Sequence, residues 1–298
     1  MRAFIFKNDR KDGFTFMELL VVIATVGILA VLLLPALAGT KPNSQAFQCM
    51  QNQRQMVLAS QMYSDDNGGK IAPNYPQGGP NGPATLISPT AYPCWVAGWL
   101  TLPGGTTTSE NTNTAMLIDH FRYPNGAFLG PYIKITNAFR CPADQSVALL
   151  GGRSRPRVRS ISMNNFLGSP AQATTSSAIG APSAKGYYPY SKIANLKSPT
   201  LTFVFVDERE DSINDGTLYT DVDFPNTFII DVPANRHNGA AGISFADGHT
   251  EMHQWTSALL KAPIQSSPRN NLLISGDPAG LQDSYWLCQH ALGLTSFP

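Results

Sequence analysis

Gly13-Phe14-Thr15-Phe16-Met17-Glu18, followed at once by an apolar run from Leu19 to Ala38, is the stretch whose reading decides the fold. The run is interrupted only by Thr25, Gly27 and Pro35. About twenty mostly apolar residues is the length a helix needs to cross a bilayer core, whereas helices of soluble domains rarely stay apolar on every side. The sequence therefore predicts a membrane-inserted helix. Arg2, Lys7, Arg10 and Lys11 precede it and only Lys41 follows closely. The positive-inside tendency then predicts a single pass in the cytoplasmic membrane, with the amino end inside and everything after Ala38 exported. A secretory signal peptide is the competing reading, with Ala36-Leu37-Ala38 as an imitation of a cleavage site.

Glu18 is the costly residue, because a carboxylate at the mouth of an apolar helix calls for a named partner. Gly13, Phe14, Thr15 and Glu18 at this spacing, behind a basic leader, resemble the type IV prepilin and pseudopilin family. Pro35 falls where many such chains carry a helix-kinking proline. The resemblance implies cleavage between Gly13 and Phe14 by a prepilin peptidase, methylation of the new Phe14 amine, and packing of the helix into a filament. In that filament the Phe14 ammonium of one subunit would face Glu18 of the next, so that each buried charge is matched.

His237, nine further residues and Asp247-Gly248 resemble the H-x9-DG segment found near the end of many prepilin-like proteins with a long exported domain. Cys49 in Cys-Met-Gln-Asn-Gln-Arg-Gln and the stretch Cys141-Pro-Ala-Asp resemble other landmarks of that group. An even cysteine count in a chain predicted to be exported suggests two disulfides, with three possible pairings. Because Cys49 and Cys141 both lie in landmarks, the resemblance favours pairing these two, leaving Cys94 with Cys288.

The 298 residues, 43% of them hydrophobic, suffice for such a helix and one sizeable domain. A net charge of +1 argues against a nucleic-acid-binding surface. Removing residues 1 to 13, with four basic and two acidic residues, leaves about −1 by the same count. Beyond a break at Gly39-Thr40-Lys41-Pro42, Ser44 to Tyr63 reads as a second helical segment. Its core stripe is predicted to be Phe47, Met50, Arg54, Val57, Leu58 and Met62, and Asp65-Asp66-Asn67-Gly68-Gly69 ends it. Residues 71 to 135 read as elaborated loops around short strands.

Arg153, Arg155, Arg157 and Arg159 alternate, so an extended chain would aim four guanidinium groups to one side. Polyanion capture and pairing with a following acidic segment are the two readings of this ladder. The acidic segment, Asp207 to Asp223, follows the strand candidate Leu201–Val206 and is weighed as a calcium loop, although it fails the EF-hand pattern. Asn238-Gly239 and Asp247-Gly248 are hairpin signals. They predict a meander of residues 227 to 237, 240 to 246 and 249 to 255, in which Ile243 faces Met252, Phe245 faces Thr250 and Val232 faces Phe245. This places His237 and Asp247 at opposite ends of the middle strand, with His237 near Trp255 and with His249 able to approach Asp231. Neither His237 nor Asp247 is then assigned to a metal or to catalysis, and no nucleophile, P-loop or zinc-protease motif is present.

The sequence thus predicts an α+β, pilin-like fold: a long amino-terminal helix, half membrane-embedded and half amphipathic, packed on an antiparallel sheet with long loops. Its parts are a leader (1–13), a transmembrane assembly helix (14–38), the second half of the helix (39–64) and an exported domain (65–298). The expected function is that of a non-enzymatic subunit of a type IV pilus or type II secretion pseudopilus, without cofactor, whose partners are a prepilin peptidase/methylase, like subunits and the cytoplasmic membrane. The alternative is a membrane-tethered exported adhesin or ligand-binding domain.

Overall fold

The computed structural model describes residues 15–75, 93–101, 109–168, 189–220, 228–265, 269 and 271–295, with only the backbone helix given for 30–44. Gly13, Phe14 and the side chain of Pro35 lie outside the described residues, as do Asp221 and Asp223. The chain divides into two compact units, Met1–Ser44 and Gln45–Pro298.

Helix α1 spans Phe16–Asp66, with no interruption at residues 39 to 42. In the first unit, every described residue from Thr15 to Leu29 is exposed. Among the described residues no helix is long and apolar enough to cross a membrane. That finding overturns the expected transmembrane half of the helix, the single-pass topology and the membrane localisation. The pilin-like fold expectation falls with them.

The second unit is α+β, built on a five-stranded sheet of order β5-β3-β4-β7-β8. Its strands are β3 (Ile161–Asn164), β4 (Phe203–Asp207), β5 (Thr217–Leu218), β7 (Ala240–Phe245) and β8 (Thr250–Gln254). The sheet is mixed, not antiparallel as expected, because β5 runs parallel to its neighbour β3. Two small two-stranded pairs flank it: β1 (Val147–Leu150) with β2 (Arg153–Pro156), and β6 (Phe228–Ile229) with β9 (Leu272–Leu273). Helix α2 is a single turn, Ala115–Ile118, and α3 spans Pro278–Leu292.

The pleat separates two cores on β3 and β7, and on β4 a register shift between Phe203 and Phe205 breaks the alternation, so that Phe203 and Val206 share one face and Phe205 the other. Met56, Val57 and Ala59 of α1 pack with Ile161, Met163, Phe205 and Trp95 in one cluster. Leu287, Cys288 and Ala291 of α3 pack with Phe203, Val206, Ala241, Ile243 and Phe245 in the other. Asp277 caps α3 by accepting from the Ala279 N–H (3.2 Å), Pro278 opens it, and Gly293 closes it at φ 63°.

Of the expected core stripe of α1 only Val57 is buried, with Met50 half-buried. Phe47, Leu58 and Met62 are exposed, whereas Cys49, Asn52, Gln53, Met56, Val57 and Ser60 are buried. Polar side chains choose the face. Gln53 donates to the Gly242 carbonyl (3.1 Å) and accepts from Ser244 Oγ (3.2 Å) on β7, and Asn52 donates to the Asn137 and Arg140 carbonyls (3.1 and 2.8 Å). The turn at 65 to 69 forms as predicted, with Gly68 and Gly69 at positive φ.

Strands β7 and β8 fulfil two arms of the expected meander, but 227 to 237 is not the third. Strand β4 lies beside β7 instead, and β6 leaves to pair with β9. The β7–β8 register is also one residue away from the expected one: Gly242 faces Met252 and Ser244 faces Thr250. The loop is the cause. Phe245 N donates to the His249 carbonyl (3.0 Å) and Gly248 stands at φ 96°, so Ala246-Asp247-Gly248 forms a three-residue loop where two residues were expected.

Candidate metal centre

Four segments distant in the chain converge beside the α1 face of the sheet. Cys49 comes from α1. Cys141 starts a turn that Pro142 shapes and that the Asp144 N–H closes on the Cys141 carbonyl (3.0 Å). Asp207 ends β4. His237 precedes the two-residue turn Asn238-Gly239, both at positive φ, that leads into β7. One ligand atom from each lies within 4.8 Å of all the others, and all four residues are buried. Cys141 Sγ is 3.1 Å from His237 Nε2.

The surroundings hold these groups in place. Ser160 Oγ donates to Asp207 Oδ1 (2.6 Å) and accepts from the Cys141 N–H (2.9 Å), so one hydroxyl orients two members. The Ala143 N–H donates to Cys141 Sγ (3.4 Å). Arg236 contacts Asp207 Oδ2 at 2.8 Å, Glu210 Oε2 at 2.7 Å and Asp144 Oδ1 at 3.8 Å. Burial pushes the Asp207 carboxyl up, with Arg236 and Ser160 opposing. Burial also works against the Arg236 charge, but Asp207, Asp144 and Glu210 outweigh it and push the Arg236 guanidinium up overall. The two thiols behave as a unit: the hydrogen bond from Cys49 lowers Cys141, while the same bond and burial raise Cys49.

Two thiols, an imidazole and a carboxylate match a borderline-soft divalent ion such as zinc, and not calcium, which takes six or more oxygen ligands. A Cys-His-Asp nucleophile site fits the same atoms poorly. In such a triad the acid orients the second ring nitrogen, and His237 Nδ1 has no hydrogen-bond partner among the described residues.

The other residues singled out in the sequence are dispersed. Glu18 and Thr15 form a capping box at the start of α1: Glu18 Oε2 accepts from the Thr15 N–H (2.8 Å) and Oγ1 (2.7 Å), and the Glu18 N–H donates to Thr15 Oγ1 (3.3 Å). These bonds lower the Glu18 pKa. All four cysteines are thiols, so neither expected disulfide is formed; Cys94 sits in the α1-side core and Cys288 in the α3-side core. His237 does not serve Trp255, whose indole donates to the Ala234 carbonyl (2.7 Å). His249 pairs with Asp247 (2.6 Å) and stacks on Phe245, while Asp231 accepts from the Tyr219 N–H (2.7 Å).

The arginine ladder splits. Arg153 and Arg155 are exposed on β2, and Arg157 and Arg159 are buried, donating to the Glu210, Ile213, Ile161 and Asp215 carbonyls. Burial lowers Arg157 to about 10 and lowers Arg159 as well. The described carboxylates of the acidic segment are likewise absorbed internally: Glu208 accepts from Ser162 and Ser212, and Asp211 pairs with Arg209 at 2.7 Å. These partners engage the described carboxylates of the expected calcium loop; Asp221 and Asp223 lie outside the described residues. Searches of protein-family profiles, of curated proteins and of solved structures return no match for this chain.

Proposed function

We propose that the chain is a structural, non-catalytic subunit that a prepilin peptidase cuts between Gly13 and Phe14 and methylates at Phe14. It then assembles with like chains through the amino-terminal part of α1, in the manner of type IV pilus and type II secretion pseudopilus subunits. One observation carries this reading: from Phe16 to Leu29 the helix is exposed and almost wholly apolar around its full circumference. A helix apolar all round is covered only when neighbours surround it, and like helices in an assembly supply that cover. The capping box at Thr15 and Glu18 suits a helix that starts where cleavage would leave a new amino terminus.

The test is co-production with a prepilin peptidase, followed by mass spectrometry of the amino-terminal peptide and electron microscopy for filaments. A terminus at methyl-Phe14 is expected; a terminus at Met1 or near Gly39 would overturn the proposal. Glu18→Gln separates the roles of this residue. Glutamine also serves in a capping box, so the variant keeps the helix start and loses only the charge. Filament yield should fall sharply while the fold is unchanged, and undiminished assembly would remove Glu18 from the assembly contact.

A further inference from the structure

We propose that Cys49, Cys141, His237 and Asp207 together hold one zinc-class divalent cation, as a centre that locks helix α1 to the sheet. The ligands would be two thiolates, one imidazole nitrogen and one carboxylate oxygen. In a tetrahedral site with bonds of about 2.0 to 2.3 Å, ligand atoms stand about 3.3 to 3.8 Å apart. Here they all lie within 4.8 Å of one another, with Cys141 Sγ and His237 Nε2 at 3.1 Å, so side-chain adjustments of roughly 1 Å bring them onto one ion.

The charge balance is equally direct. Binding converts two S–H groups to thiolates, releases two protons to solvent and adds a divalent cation, so the net charge of the buried site is unchanged. Asp207 keeps acceptor capacity for the ion: Ser160 takes one site on Oδ1 and Arg236 stands 2.8 Å from Oδ2, while an ionised carboxylate offers about four acceptor sites. Ser160 and the Ala143 N–H supply the outer contacts that orient metal ligands. A cleft of about 360 Å³, lined by Gln48, Asn52, Asn137, Arg140, Cys141 and Pro142, gives an ion access. Residues 49, 141, 207 and 237 are far apart in the chain, so an ion joining them closes long loops and restricts the unfolded state.

The same two sulfurs could instead be oxidised to a disulfide, which requires an external oxidant and excludes the metal. The full chain, purified with its apolar amino-terminal helix covered by mild detergent, therefore decides the matter. Elemental analysis should find about one zinc per chain. Titration of the reduced, metal-stripped chain with cobalt(II) should give thiolate-to-cobalt charge-transfer absorption and the intense ligand-field bands of a four-coordinate site, both abolished by added zinc. Cys49→Ser and Cys141→Ser should each weaken the charge-transfer band, and His237→Gln should keep that band with altered ligand-field bands. Should a variant fail to fold, as read by circular dichroism, the cobalt titration of the unaltered chain still stands. A reduced, folded chain that develops no thiolate–cobalt band would overturn the proposal. So would peptides linked Cys49 to Cys141 in chain isolated without added oxidant.

Discussion

Gly242 on β7 has no side chain where Cys49 Sγ of α1 arrives: a Cβ built there would stand 2.9 Å from the sulfur. That is closer than carbon and sulfur tolerate. Helix and strand approach this closely beside the candidate metal centre only because residue 242 is glycine.

Gly242→Ala should accordingly displace Cys49 and strain the α1–β7 contact. Overpacking of a tight site costs about 1 to 3 kcal/mol. Chemical denaturation should show a loss of that order, together with weaker cobalt binding by the reduced chain. An unchanged denaturation midpoint would mean that α1 shifts freely at this point.

Ser160→Ala removes a hydroxyl that serves both Asp207 and the Cys141 N–H. Leaving these buried groups unsatisfied costs about 1 to 3 kcal/mol, and loss of an outer-shell contact lowers metal affinity about 10- to 100-fold. Competition with a chromogenic chelator measures the second effect. A loss of stability with metal affinity intact would place Ser160 in the fold alone.

On the α3 face, His253 stacks on Trp286 at 3.6 Å between ring centroids, and His290 stacks on the same indole at 4.0 Å. Burial, with His290 alongside, lowers His253 from 6.5 to about 4, and Glu251 stands 4.0 Å away. Between these values the unfolded chain binds the proton and the folded chain does not, so stability falls as pH drops from about 6.5 towards 4. For a partly exposed ring the contribution is about 1 to 2 kcal/mol after solvent screening. His253→Phe should flatten stability against pH across this window, and an unaltered slope would assign it to other groups.

Thr15→Ala breaks the capping box from the side opposite to Glu18. Helix stability at the amino end should fall by about 1 kcal/mol. Hydrogen exchange should show faster exchange confined to the first turns of α1. Unchanged protection there would mean that the cap contributes nothing to the helix start.

Strands β4, β7 and β8, the turn after Asp66 and the Asn238-Gly239 turn could be read from the sequence, because each rests on local chemistry; the Asp247-Gly248 turn could be placed but its length could not. The buried face of α1 could not. Its orientation is selected by Gln53 and Asn52 bonding to backbone far along the chain, against an apolar stripe at Phe47, Leu58 and Met62 that stays exposed. Helix α3 is absent from the sequence expectation although its signals are present: Asp277-Pro278 at one end and Gly293 at the other. Cys49, Cys141 and His237 stand out singly in the sequence, and Asp207 only as a member of an acidic run. Only the adjacency of β4 and β7 and the crossing of α1 bring them together, and local spacing carries no record of that adjacency.

The polar attachment of α1 also has a mechanical meaning. Gln45, Asn52, Gln53 and Gln61 each donate to a backbone carbonyl, of Pro142, of Asn137 and Arg140, of Gly242 and of Ala246 respectively. An apolar contact lets a helix slide or roll at small cost, whereas a row of directional bonds must be sheared together. A pull along the part of α1 from Gln45 to Gln61 would therefore be shared among these bonds and pass through Gln53 and Gln61 into β7 and the loop after it.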